Sequence, residues 1–499
     1  MIVYINGTNN NHEILQVCRL FFPEREITEV SAPPDLSEIT ASGRVYVCLD
    51  IHTDDRFIYA DVGVKTALFD EGERLCADIS CLSDEEKKDE LEHEAIVCMY
   101  EMIVKLTGFT PPWGILIGVR PIKLLRSLEG RHGAEEAIRL FRDYYKVSDG
   151  KINLSARTLK NESAVLAQSR SNSFSLYISI PFCPSRCKYC SFVAHSIENA
   201  GHLIPEYVNL LVKEIGITAE LARRLNLRLE SVYMGGGTPT TLSAEQMTAV
   251  LSEVTRRFDM TTVREFTVEA GRPDTITADK LIAMKQCGVG RISINPQTMD
   301  DDILRRIGRR HTAKDVANAY HLARSIGFSH INMDLIAGLE GDTPCGFEKT
   351  VREVVSLNPE AVTVHTLSLK RSARLSSQRE DFFRGEMLSC REMTELADRE
   401  LSAAGYEPYY LYRQTRTLGN LENVGWSRSG FEGVYNIFMM DETHSVLAVG
   451  AGGTTKLRQQ GTNNIERITN YKFPYEYISM FDSLMEKKKG IEEFYEKFC

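Results

Sequence analysis

Residues 177 to 192 read Tyr177-Ile-Ser-Ile-Pro-Phe-Cys-Pro-Ser-Arg-Cys-Lys-Tyr-Cys-Ser-Phe192, and three cysteines fall within eight residues of this stretch. The spacing Cys-x-x-x-Cys-x-x-Cys brings Cys183, Cys187 and Cys190 onto a loop just after an extended apolar segment, where three thiolates can converge on one metal centre. A structural zinc site takes four N or S donors at paired short spacings, and neither a second cysteine pair nor a histidine pair stands at such a spacing. A three-thiolate loop fits a [4Fe-4S] cluster whose fourth iron is left open for a small ligand. The competing readings are a zinc loop that borrows a distant ligand, and three buried thiols.

Working outward, 499 residues are ample for a barrel-sized domain plus one or two smaller ones. No apolar run reaches the length of a membrane-spanning helix, and the amino terminus lacks the basic-then-apolar pattern of a signal peptide. Nine of the twelve cysteines are scattered along the chain outside the triad, which reads as a reducing compartment, and the expected location is cytoplasmic. A net charge of −10 leaves no basic excess to neutralise phosphates, so no nucleic-acid partner is expected. An anionic small substrate would need a local basic pocket.

Three regions are expected: residues 1–165, an α+β accessory domain; 166–375, the core carrying the cysteine loop; and 376–499, a carboxyl-terminal α/β extension on the substrate side. In the first, residues 2–5, 44–50 and 56–62 read as strands, the last two as a hairpin. Ser83 and Glu86 form a capping-box signature ahead of a helix over 84–106. The word Gly118-Val-Arg-Pro-Ile-Lys-Leu-Leu125 carries Arg120 and Lys123, which read as solvated or paired charges more readily than as an anion site.

From Ser175 the chain alternates strand-like and helix-like segments, the pattern of parallel strands with covering helices. Strands are predicted near 176–180, 230–234, 264–269, 291–294, 331–335 and 361–366, with helices near 205–224, 243–258, 277–287, 313–326, 345–356 and 386–404. Six such strands imply a partial barrel, in which chemistry collects at the carboxyl ends of the strands. At those ends stand Gly235-Gly236-Gly237-Thr238-Pro239, a turn with so little side chain that a ligand can lie against its backbone, then Glu269, then Asn295-Pro-Gln297, then Asp334. Arg309 follows twelve residues after Gln297; a guanidinium fork suits a carboxylate. Arg272 reads as a surface charge, and His311, His365 and His444 as structural. The aromatic and amide-rich stretch 405–426 suits a flat ligand or a domain interface equally.

The cysteine loop resembles that of the radical S-adenosylmethionine (SAM) superfamily, and Tyr189 inside the triad strengthens the match. Tyr177-x-x-Ile-Pro-Phe-Cys before it and Tyr189-Cys-x-Phe after it resemble the oxygen-independent coproporphyrinogen III dehydrogenases, and the 118–125 word resembles their HemZ-like branch. The resemblance implies an α/β fold, a partial (β/α)6 radical SAM barrel, with a [4Fe-4S] cluster on Cys183, Cys187 and Cys190. SAM would lie against Tyr177, Tyr189 and Gly235 to Thr238, with Glu269 and Asp334 near its ribose, Gln297 facing the nucleoside and Arg309 its carboxylate. It further implies that an outside electron reduces the cluster, that SAM is cleaved to a 5′-deoxyadenosyl radical, and that this radical takes hydrogen from a propionate β-carbon. Loss of carbon dioxide and one electron then leaves a vinyl group, and two rounds convert coproporphyrinogen III to protoporphyrinogen IX. The expected partners are this porphyrinogen and an unidentified electron donor and acceptor. Lys370 and Arg371 are the first candidates for the propionates. One departure from the family word is Ser179, where the dehydrogenases typically carry histidine. A haem-binding chaperone of the same superfamily, another radical enzyme acting on a porphyrin, and a zinc-loop protein remain the alternatives.

Overall fold

A computed structural model of the chain describes residues 1–498 apart from 24, 36–38, 40–42, 55, 79–83, 191–193, 369–379, 415, 416 and 463. Its residues fall into two compact units, one built mainly from Met1–Val119 and Leu128–Ile152, the other mainly from Arg120–Ser127, Asn153–Ser377 and Gly385–Cys499.

The first unit holds a five-stranded sheet in the order β2-β1-β3-β4-β5, from β1 (Ile2–Asn6), β2 (Thr28–Val30), β3 (Tyr46–Thr53), β4 (Phe57–Lys65) and β5 (Asp70–Asp78). The expected hairpin is β3–β4, antiparallel from Tyr46↔Lys65 to Thr53↔Ile58. β5 escapes sequence reading because its residues are mostly charged and exposed, with no alternating apolar face. The helix Asp84–Thr107 is present; the capping residue proposed for it, Ser83, lies outside the described residues.

The second unit is organised by an eleven-stranded sheet in the order β14-β15-β13-β12-β11-β10-β9-β6-β16-β17-β18. Its strands are β6 (Ser173–Ile180), β9 (Arg228–Gly236), β10 (Glu265–Glu269), β11 (Arg291–Ser293), β12 (His330–Ala337), β13 (Ala361–Thr366), β14 (Glu407–Arg413), β15 (Glu422–Ser427), β16 (Ser445–Val449), β17 (Thr454–Arg458) and β18 (Ile465–Thr469); β7 (Phe182–Cys183) and β8 (His195–Ser196) form a separate small pair. The six strands read from the sequence are the parallel run β6, β9, β10, β11, β12 and β13. β16 extends the run in parallel beyond β6, while β15 joins β13 antiparallel. The intervening helices start where side-chain caps demand: Ser243 with Gln246 and Thr312 with Asp315 each form a capping box.

Strand alternation decides where the cavity lies. Along β6, Phe174, Leu176, Ile178 and Ile180 are fully buried, whereas Ser175, Tyr177 and Ser179 take the other face. That second face continues as Tyr233 on β9, Glu269 on β10, Arg291 on β11, Asn332 and Asp334 on β12, and Thr363 and His365 on β13, all of which line one cavity together with Tyr177. A parallel sheet covered on both sides is normally apolar on both faces, so a polar inner face marks an interior built to be filled by something other than side chains.

The turn between β16 and β17 is tied to this scaffold by a buried ion pair. Lys488 Nζ and Glu214 Oε1 are 2.9 Å apart and nearly inaccessible to solvent. Glu214 also accepts from Gly450 N (2.8 Å), Asn470 Nδ2 (2.8 Å) and Tyr477 Oη (2.5 Å). Replacing Lys488 with Met leaves Glu214 buried without its cation and is expected to cost about 3–5 kcal/mol. Trp113 and Trp426 are the chain's two tryptophans, one in each unit. Trp426 fluorescence during urea unfolding, read in a Trp113→Phe background, therefore reports on the second unit; an unchanged midpoint would show that the pair does not hold it.

Candidate active site

The cysteine loop leaves the carboxyl end of β6 and lies beside the turn that follows β9. Gly237 N donates to Ile180 O (2.7 Å) and Thr238 N to Phe182 O (2.7 Å), so these two N–H groups are spent on the loop backbone. A Cβ on Gly237 would come within 2.5 Å of Phe182 O, which explains the glycine by close approach of two backbones. Thr238 Oγ1 then reaches Cys183 Sγ at 3.4 Å. Gly236, Gly237 and Thr238 line the cavity; Gly235 does not, and a Cβ there would meet the Glu269 carboxyl at 2.9 Å.

All three triad cysteines line this cavity of about 550 Å³. Burial raises the Cys183 thiol above its ordinary pKa, and the neighbouring Cys190 and Cys187 add to the effect against the Thr238 hydrogen bond. Cys187 is touched by a residue read from the sequence as a surface charge: Arg272 is only 3% exposed, and its Nη1 reaches Cys187 Sγ at 3.6 Å and Ser185 Oγ at 3.1 Å. Asp274 holds that guanidinium through two contacts of 2.9 Å. Burial works against the Asp274 charge, but the Arg272 hydrogen bonds and the His311 imidazole 3.8 Å away outweigh it and keep the carboxyl well below its usual range.

Further along the wall, Arg309 is buried, with Nη2 donating to Tyr189 Oη (2.9 Å) and Nη1 to Gly271 O (3.2 Å) and Asn295 O (3.1 Å). Its neighbour Arg310 is exposed and pairs with Glu198. Gln297 sits at φ +71°, a left-handed conformation that a non-glycine residue adopts only when its surroundings impose it; here backbone bonds to Asp334 O and from Ile336 N do so. Gln297 Oε1 and Arg309 Nε are buried without a hydrogen-bond partner among the described residues.

Two carboxyl groups face the cavity in different states. Burial pushes Glu269 up to about 7, against the hydrogen bond from Tyr233 Oη (2.6 Å), with the charge of Asp334 adding to the rise. Burial also opposes ionisation of Asp334, but the His365 imidazole 3.8 Å away and the hydrogen bond from Asn332 Nδ2 (2.7 Å) win and hold it below the usual carboxylate range. His365, read as structural, therefore belongs to the cavity wall. Tyr233 stacks on Tyr435 with ring centroids 4.5 Å apart, and Tyr177 stacks against both at 6.3 and 6.1 Å.

The chain matches the family model described as the Radical SAM superfamily over residues 177–354. It is 38% identical over 396 residues, 78% of this chain and 79% of the relative, to the oxygen-independent coproporphyrinogen-III oxidase-like protein HemZ of Bacillus subtilis (strain 168). The chain belongs to the radical SAM superfamily, in its HemZ-like branch. It is also 32% identical over 308 residues, 60% of this chain and 77% of the relative, to heme chaperone HemW of the same organism. Among solved structures it is similar in fold to coproporphyrinogen III oxidase (HemN) from Escherichia coli, with a TM-score of 0.50 and 21% identity over 64% of this chain and 72% of that chain.

The cofactors of this radical SAM chain are a [4Fe-4S] cluster and SAM, and the residues present fit them. Among the described residues no group of three His, Cys, Asp or Glu side chains is spaced to hold a single metal ion. A cubane presents separate irons to separate thiolates, so the three cysteines of a radical SAM loop need not meet at one point. The partnerless Gln297 Oε1 and Arg309 Nε and the side-chain-free Gly236–Gly237 turn suit a polar ligand of SAM's size. Sequence reading missed Arg272, Arg291, Tyr233 and Tyr435, because isolated residues of common type acquire a role only from what the fold brings beside them. For Tyr233 and Arg291 the one legible signal was a period-two place on strands already assigned, and for Arg272 closeness to Glu269; Tyr435, on the helix Val434–Asp441, carried none. Lys370 and Arg371 lie outside the described residues. The 405–426 stretch divides by strand face: Tyr410 and Tyr412 line the cavity, while Tyr409 and Trp426 are buried in the core.

Between the ordinary carboxyl pKa and about 7, folded Glu269 keeps a proton that the unfolded chain has lost. Its contribution to stability is therefore present at low pH and lost as pH rises through that window. Thermal melts of the cofactor-free protein should show Glu269→Gln gaining on wild type at pH 8 relative to pH 5. A midpoint difference independent of pH would place the Glu269 pKa near its ordinary value.

Proposed function

We propose that the protein carries out oxygen-independent oxidative decarboxylation of a porphyrinogen, converting the propionates of coproporphyrinogen III to the vinyl groups of protoporphyrinogen IX. The observation that carries this reading is a single cavity that begins at Cys183, Cys187 and Cys190, passes Glu269 and Asp334, and continues to Tyr410, Tyr412 and Tyr435 with Arg291 and Lys456 in its wall. The HemZ relative's name supports the same substrate class.

The cluster and SAM supply a carbon-centred radical that abstracts hydrogen; the chain supplies placement. Cys183, Cys187 and Cys190 would hold the cluster, with Arg272 steadying Cys187. Arg309 would face the SAM carboxylate, Gln297 the nucleoside, and Glu269 and Asp334 the ribose, with Gly236 to Thr238, Tyr177 and Tyr189 around them. The aromatic wall would take the macrocycle and keep water from the reacting carbon. Each round releases one carbon dioxide and one electron, so an electron donor and an acceptor are required partners, and we place this chemistry in the cytoplasm.

One position departs from the dehydrogenase word. Ser179 Oγ donates to Ala451 O at 2.7 Å and does not line the cavity, so no imidazole is offered there. Together with the 32% identity to a heme chaperone, this supports a second reading, that the cavity holds haem without transforming it.

Anaerobic protein reconstituted with iron and sulfide, then given SAM, a strong reductant and coproporphyrinogen III, should form 5′-deoxyadenosine and a vinyl-bearing product together. Formation of 5′-deoxyadenosine alone, with stoichiometric haem binding, would favour the second reading. Cys187→Ala should lose cluster iron and both products while keeping its helix content; full iron in that variant would overturn the ligand set.

A further inference from the structure

Gly452, Thr454 and Lys456 alternate along the approach to β17 and along the strand itself, and all three line the cavity. The register places Lys456 beside Val446, and Val446 beside Ser175, near the start of β6. The cysteine loop follows Ile180 at the other end of that strand, roughly 16 Å away at about 3.3 Å per residue. Lys456 thus stands on the cavity wall far from the reacting end.

Its surroundings leave its charge poorly answered. Lys456 Nζ donates to the thioether of Met439 at 3.1 Å, a weak acceptor, and the nearest carboxylate oxygen, Glu442 Oε1, is 3.9 Å away. That carboxylate already receives the Arg120 fork at 2.5 and 2.7 Å, with Lys123 at 3.8 Å and Arg467 at 3.6 Å. Arg120 and Lys123 of the 118–125 word are thereby paired, as the sequence suggested, but four cations share one acid. Nearby Asp441 and Glu162 are both taken by Arg126. Burial lowers the Lys456 pKa; Glu442 opposes that shift, while Arg120 and Arg467 reinforce it. Arg291, in the same cavity wall, donates to His330 Nε2 at 3.1 Å and Tyr409 Oη at 3.5 Å, with the Glu265 carboxylate answering its charge at longer range.

We infer that Lys456, backed by the cation cluster around Glu442, is a carboxylate-binding post for a substrate propionate remote from the one that reacts. The inference rests on the porphyrinogen reading. A half-buried ammonium that lacks a strong acceptor gains most from an anion delivered by the ligand, and a contact far from the reacting carbon contributes orientation as well as affinity.

The test is equilibrium binding of coproporphyrin III, a stable tetracarboxylate, and of its tetramethyl ester in the same dilute detergent, to the cluster-loaded protein. Lys456→Gln should weaken the acid by about tenfold or more, in keeping with a charge-assisted hydrogen bond, and leave the ester unchanged. Lys456→Arg, which keeps the cation, should retain acid binding and serves as the control for folding. Equal acid affinity in wild type and Lys456→Gln would overturn the post while the porphyrin reading stood. Failure of wild type to bind either porphyrin would overturn the porphyrin reading, and the post with it.

Discussion

Two stretches of backbone must lie within hydrogen-bond reach of each other for this site to exist. The segment Gly235–Thr238, where β9 ends, presses on residues 180–182 so closely that a methyl group at 237 would collide with a carbonyl oxygen. That contact fixes where the cysteine loop leaves β6, brings Thr238 to Cys183, and sets the rim from which Glu269, Gln297 and Asp334 are measured. The parallel register of β6, β9 and β10 delivers the two partners to the same level, and the Glu214–Lys488 pair anchors Gly450, whose own turn packs on Ser179. Packing, sheet register and a buried ion pair therefore converge on one loop.

The electrostatics follow from burying polar groups on the inner face of a parallel sheet. Glu269 and Asp334 experience similar burial, yet one is pushed toward neutrality and the other kept ionised. The difference lies in neighbours: Asp334 has Asn332 as a donor and the His365 ring 3.8 Å away, while Glu269 has a phenol and a nearby negative charge. Cations are concentrated locally in a chain whose net charge is −10, with Arg272, Arg291, Arg309 and Lys456 all in the cavity wall. The anionic substrate proposed above would find there the local basic pocket that such a ligand needs.

Much of the fold was legible because strand and helix periodicities are local properties. The predicted strands at 176–180, 230–234, 264–269, 291–294, 331–335 and 361–366 each lie within or overlap an observed one. Among the elements that escaped, β5 has no apolar period and the helix Asp301–Arg306 is too short to display one, but the helix Asn11–Phe21 went unread although it buries Ile14, Val17, Cys18 and Phe21 at helical spacing. Arg272 was misread because charge on a lone arginine says nothing about burial. It becomes buried only because Asp274, two residues on, and Cys187, eighty-five residues earlier in the chain, meet it in space.

The sequence by itself determined the order of strands and helices, the cysteine triad and the family words, since each is written in adjacent or near-adjacent residues. Only the tertiary structure decided which face of each strand looks into the cavity, that the Glu269 pKa is raised and the Asp334 pKa lowered, and that Arg120, Lys123, Lys456 and Arg467 gather around Glu442. The physical reason is range. Backbone propensity and spacing act over a few residues, whereas burial and charge depend on side chains that the sheet brings together from more than three hundred positions apart, as with Arg120 and Glu442.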